Sequence, residues 1–178
     1  MKVKSIFCII ILIINSSCFS QNNRIENKLM ECYYQSFQDN GIEIKKLIHD
    51  YENLLINEGF LKDNSAKSYI TFLQNFSNQN IYTPSKFFCV ESQNIKKLNE
   101  VNYLECRKLV LEDFKHTNTS KLESIEKAVI NNSNPQNVVK DMLKVLTKED
   151  FEIEYYKRQA FLVFCLIDTE AGLKKRDD

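Results

Sequence analysis

The 178-residue sequence contains no tryptophan, three glycines and two prolines. Gly41, Gly59 and Gly172 stand too far apart to write a phosphate-cradling loop, a dinucleotide-binding turn or a G-x-S-x-G nucleophile elbow. The same scarcity excludes collagen-like and Gly/Pro-rich fibrous chains. Charge of one sign is missing as well. The 24 Lys and Arg balance the 24 Asp and Glu, which leaves no polycation to coat nucleic acid, and no nucleic-acid partner is expected. No C-x-x-C occurs, which removes the usual redox dithiol. Neither His49 nor His116 has a cysteine close in sequence, so no zinc cluster can be written, and no metal or cofactor is expected. The longest apolar run, Ile6–Ile14, falls well short of the about 20 residues that a membrane-crossing helix needs.

That short run has the flanks of a secretory leader. Lys2 and Lys4 supply a positive start, Asn15, Ser16 and Ser17 relax the chain, and Cys18-Phe19-Ser20 places small residues for cleavage between Ser20 and Gln21. The expected division is a signal peptide over 1–20 and a single α-helical domain over 21–178. Cys18 offers an alternative, lipidation of a new N-terminal cysteine, although Asn15 stands where a lipoprotein signal favours leucine. The product is then periplasmic or extracellular, or on the alternative a membrane-tethered lipoprotein, with no transmembrane span left after leader removal. Losing Lys2 and Lys4 leaves the mature chain slightly acidic.

The remaining apolar residues recur at helical spacing, and strict alternation is scarce. Ile25, Leu29, Cys32, Tyr33 and Phe37 form one stripe, stopped at Asp39-Asn40-Gly41. Ile44, Leu47, Ile48, Tyr51, Leu54 and Leu55 form a second, closed by Gly59. The short connection predicts an antiparallel hairpin of these two helices. Ser65 caps a third helix, Pro84-Ser85 opens a fourth that reaches towards Ile95 and Leu98, and a fifth near Asn102–Asp113 turns Leu109 and Val110 inward. Ser120 with Glu123 reads as a capping box ahead of Leu122, Ile125 and Val129. Asn134-Pro135 pairs a cap with a first-turn proline. Thr147 with Asp150 starts the last helix, apolar all round over Phe161–Ile167 and ended at Glu170-Ala171-Gly172. The fold expected is all-α: an irregular helical bundle of about six to eight helices with room for one disulfide.

Four cysteines survive leader removal, and an exported chain with an even number is a disulfide candidate. Cys32 and Cys106 lie in half-polar helical contexts and are the expected pair. Closing so long a loop is worth roughly 4 kcal/mol on the chain-entropy model. Cys89 and Cys165 lie in Phe-rich runs and are expected to act as small buried hydrophobes. The alternative keeps all four as thiols.

Catalytic constellations are sparse. Glu112 and His116 share a helix face at i, i+4, yet the cluster lacks a second unit and suits a solvated helix end. A Cys–His nucleophile or a pair of carboxylates is arithmetically available but nothing local marks one. Tyr33-Tyr34 and Tyr155-Tyr156 set neighbouring rings about 100° apart on a helix, so one of each pair is available to an interface. The competing reading makes both rings core residues with hydrated hydroxyls.

The leader ending in Phe19-Ser20 before Gln21, the segments Asp50–Ile56 and Val145–Glu152, and Pro84-Ser85-Lys86-Phe87-Phe88 together resemble uncharacterised small exported helical proteins of the Bacteroidota. The resemblance implies a fold and a location and carries over no activity or site residue. The function expected is an exported helical protein without catalytic activity, a protein-interaction or accessory module of the envelope whose partner is an envelope or secreted protein. Two alternatives stand beside it: an inhibitor or immunity-type protein binding a toxic enzyme, and a small hydrolase with a Cys–His or paired-carboxylate site.

Overall fold

The computed structural model describes residues 24–78, 88–98, 100–115, 120–132 and 134–174. Cys18, Ser20, Gln21, Pro84 and His116, with the expectations attached to them, lie outside the described residues. The described chain is all-α. Its helices are α1 (Ile25–Gln35), α2 (Ile42–Asn57), α3 (Ala66–Asn78), α4 (Phe88–Gln93), α5 (Glu100–Asp113), α6 (Ser120–Asn131), α7 (Pro135–Val145) and α8 (Glu154–Lys174). A 3-10 turn, Lys148–Glu152, precedes α8. Among the described residues no helix is long and apolar enough to cross a membrane.

Local chemistry explains several boundaries. Asn134 accepts from the Gln136 N–H at 2.8 Å, and Pro135 opens α7 where its missing donor costs nothing. Ser65 Oγ accepts from the Ser68 N–H at 3.3 Å at the start of α3. Between α1 and α2, Asp39 accepts from the N–H groups of Gly41 (2.9 Å) and Glu43 (2.6 Å). These donors hold its carboxyl below the usual carboxylate range, the Glu43 N–H contributing most. Gly41 has φ +84°, and a Cβ there would stand 2.6 Å from Cβ of Tyr34. Only glycine meets both conditions.

Helix packing departs from the expected hairpin. α1 and α2 are joined by a tight turn, but α1 packs mainly on α5 and α8, while α2 packs on α4. α8 packs on α1, α3, α4, α7 and the 3-10 turn, and so takes the centre of the molecule. Around it an aromatic core closes: Phe161 lies 5.1 Å from Tyr51, 5.7 Å from Phe88 and 6.0 Å from Tyr69 between ring centroids, and Tyr69 stacks on Phe151 at 5.7 Å. Leu55, Leu73, Val138, Val139 and Met142 complete one contiguous apolar cluster. Full burial of each such side chain is worth about 1.5–3 kcal/mol.

Four boundary or burial expectations are corrected. α4 stops at Gln93, and the chain turns at Asn94–Ile95 into an isolated bridge between Phe37 and Lys97. The Leu98 N–H donates to Ser36 O at 2.8 Å, so backbone pairing replaces the apolar contact expected of an exposed Leu98. Leu109 and Val129 face solvent, because Val110 and Ala128 beside them take the inward positions. Thr147 with Asp150 opens the 3-10 turn rather than α8, since Ile153 is extended at the turn's end. Finally, α8 runs through Gly172 to Lys174.

Two cysteine pairs lie at disulfide distance. Cys32 and Cys106 join α1 to α5 with Cα atoms 5.7 Å apart. Cys89 and Cys165, expected as separate buried thiols, join α4 to α8 at 5.6 Å. Both are half-buried rather than enclosed, because Phe88 and Phe161 take the core positions beside them.

Candidate functional site

Two of the concavities on the described surface contrast in their chemistry. The first is a groove of about 300 Å³ between α1, α5 and α8, lined by Tyr33, Ser36, Lys97, Tyr103, Leu104 and Arg158. Its walls follow from the cysteine pairing. Tyr33 directly follows Cys32 on α1, and Tyr103 precedes Cys106 by three residues on α5, so the cysteine pair at disulfide distance brings the two rings together. Their centroids lie 6.2 Å apart, edge to face. Tyr33 also meets Phe37 edge-on at 5.1 Å.

Arg158 comes from the second turn of α8 and lays its guanidinium over Tyr33, 3.8 Å from the ring centroid. This stack uses the ring quadrupole and leaves the donors of the guanidinium edge unspent. Its Nε is buried with no hydrogen-bond partner, and no ion pair engages Arg158 among the described residues. The acids near this helix face are otherwise occupied: Glu154 accepts the Tyr34 hydroxyl and Glu126 pairs with Arg107. Leu104 is 60% exposed at the rim, and Ser36 donates to Tyr33 O at 2.6 Å, tightening the end of α1.

The second concavity, about 240 Å³, lies between α2, α3 and α8 and is lined by Lys45, Ile48, His49, Glu52, Tyr69, Glu152, Glu154 and Lys157. Its polar groups satisfy one another. Glu52 accepts from the Tyr69 hydroxyl at 2.7 Å and from Lys157 at 3.0 Å, and Lys157 also donates to Asn64 O at 3.1 Å. Burial, then the bond and charge of Glu52, push Tyr69 far above the ordinary tyrosine range. His49 Nε2 lies 3.1 Å from the Asn53 amide. The network ties three helices together, and no cluster able to hold a metal occurs among the described residues.

The structure thus brings together Cys32 and Cys106 and sets His49 among carboxylates, but the cysteines pair with each other and none lines the His49 cleft. Glu112 is exposed on α5, 3.9 Å from Lys108. Of the tyrosine pairs, Tyr33 lines the groove while Tyr34 is buried. Tyr155 and Tyr156 are both buried, as the core reading of that pair has it. Burial of Tyr155 between α8 and its neighbours pushes its pKa up to about 12, and the Tyr156 hydroxyl is spent on Glu26 at 2.8 Å. Arg158 and Lys97 escaped sequence reasoning, which had no register for α8 against α1. The Tyr33–Tyr103 juxtaposition was deducible from the expected Cys32–Cys106 bridge.

No family model, curated protein or solved structure matches the chain.

Proposed function

We propose that this protein is an exported, disulfide-stapled helical module that binds another protein through the groove between α1, α5 and α8, without catalysing a reaction. One observation carries the reading: a Tyr33–Tyr103 pair beside cysteines at disulfide distance, an arginine stacked on it and an exposed Leu104 form one surface. Tyrosine and arginine at the centre of a desolvated patch are the side chains that dominate protein-binding energetics. The groove is sized for one or two side chains of a partner, at the lower limit of small-molecule sites.

Export is supported by the leader-like Met1–Ser20 and by two cysteine pairs, which persist in oxidising compartments. A non-catalytic role is supported by the His49 cleft, where Glu52 is committed to Tyr69 and Lys157. The test has two arms. A fusion of the chain to alkaline phosphatase should be active outside the cytosol, and deletion of residues 2–14 should abolish that activity. Proximity labelling of the exported protein in its native host should mark one protein reproducibly, and Tyr103→Ala should lower its affinity by about tenfold or more. Cytosolic retention of the full chain, or a partner indifferent to Tyr103→Ala, would overturn the proposal.

A further inference from the structure

Resting on that reading, we propose that the groove recognises a carboxylate: its occupant is an acidic segment of the partner protein, with an Asp or Glu side chain or a C-terminal carboxylate seated on Arg158. Four observations converge on this chemistry. The Arg158 guanidinium is held flat against Tyr33, so its orientation is fixed before any ligand arrives. Its Nε is buried and has no hydrogen-bond partner, an arrangement that costs free energy until a partner accepts from it. Lys97 lines the same groove, placed there by the backbone bridge to Phe37, and among the described residues no acid lines it. Glu154, one turn before Arg158 on α8, already receives the Tyr34 hydroxyl, and Glu126 receives Arg107.

A planar guanidinium matches a carboxylate with two parallel N–H···O bonds, and its attachment to an aromatic face removes the rotamer entropy that such a bond otherwise costs. Tyr103 and the exposed Leu104 then receive an aliphatic or aromatic side chain next to the acid. The recognised motif is therefore a carboxylate with an adjoining apolar residue in an extended segment. Charge complementarity selects this occupant over a second copy of the same face, because two copies would bring their Arg158 guanidinium groups together as like charges.

The experiment uses the oxidised, leaderless protein and a displayed library of random octapeptides, followed by fluorescence anisotropy with the selected peptides. Selected sequences should carry Asp, Glu or a free C-terminus beside an apolar residue. Replacing that acid by its amide should weaken binding to the wild-type protein about tenfold to hundredfold, the range of a hydrogen bond to a charged group. Arg158→Gln should lose the same factor, and Arg158→Lys should recover only part of it. The amide peptides test the idea on unmodified protein should Arg158→Gln disturb folding. Binders without acids that ignore Arg158→Gln yet lose affinity with Tyr103→Ala overturn the carboxylate and spare the groove. Absence of binders, or indifference to both substitutions, removes both readings. Inorganic phosphate or an oligonucleotide binding at Arg158 more tightly than any peptide overturns the acidic-segment assignment.

Discussion

Three tyrosine hydroxyls carry the polar joints of the fold: Tyr34 donates to Glu154, Tyr69 to Glu52 and Tyr156 to Glu26, each on a different helix. Burial first, and the glutamate bond second, raises all three above the ordinary phenol value. The folded chain thus holds protons that the unfolded chain releases near pH 10, so the stabilisation is complete below that pH and is lost as pH rises towards the folded values. Absorbance at the tyrosinate band and far-UV circular dichroism, followed together, should show ionisation delayed until the helices melt. Tyrosinate absorbance of the full complement of tyrosines near pH 10 with the helices intact would mean that these three hydroxyls are open to solvent. The glycines allow a sharper comparison. Gly59 has φ +77° with open space around it, whereas Gly41 combines φ +84° with the Tyr34 backbone. Thermal unfolding should place Gly59→Ala about 1 kcal/mol below wild type and Gly41→Ala about 3 kcal/mol below, the difference being overpacking. Equal losses would show that Tyr34 yields.

At the scale of elements, α5 is the anomaly. None of its described side chains is buried, and Leu104 and Leu109 stand in solvent, so packing alone holds it weakly. Its attachments are the half-buried Val110 and Leu111 against the core, the Cys32–Cys106 pair, the Arg107–Glu126 ion pair and the Tyr33–Tyr103 ring contact. A cross-link over so long a loop is worth roughly 4 kcal/mol, more than an exposed ion pair supplies. Trypsin should therefore spare the oxidised protein and cut first at Arg107 and Lys108 in Cys32→Ser/Cys106→Ser, and an unchanged digestion pattern would show that α5 packs without its tether. The 3-10 turn makes the opposite case. Asp150 is nearly enclosed, accepts from the Thr147 N–H at 2.6 Å and takes Lys121 at 2.7 Å. Asp150→Ala should cost about 2 kcal/mol in denaturant unfolding. These elements also explain what was legible beforehand. Caps and stripes are local, so α2, α3 and α7 could be read from Ile44–Leu55, Ser65 and Asn134-Pro135. The partner of Cys89 was not, because a Phe-rich neighbourhood reports closeness to the core and is silent about which helix crosses it. α5 was misjudged for a related reason: Leu109 fits a helix but faces a side that no described neighbour covers.

For the whole molecule, the all-α class was legible from periodicity, and the arrangement around α8 was not, since a helix apolar on every side announces its burial without naming its neighbours. The groove inherits that gap: two of its walls follow from a cysteine pair, and the third depends on how α8 is turned. Intact mass of the exported protein should begin at Gln21 and fall below the fully reduced value by the hydrogens of both bridges. A lipid-bearing mass at Cys18, or free thiols, would replace the corresponding part of this account.

The order of the cysteines has a mechanical consequence. Cys32–Cys106 and Cys89–Cys165 interleave along the chain, so a pull applied at the two ends passes through one bridge, back along Cys106–Cys89, and out through the other. Only that short stretch between the bridges bears the load, and α2, α3, α6 and α7 lie off the line of force. A protein wired in this way stretches little before covalent bonds resist, and a single backbone cut between Cys32 and Cys165 leaves its fragments on one leash.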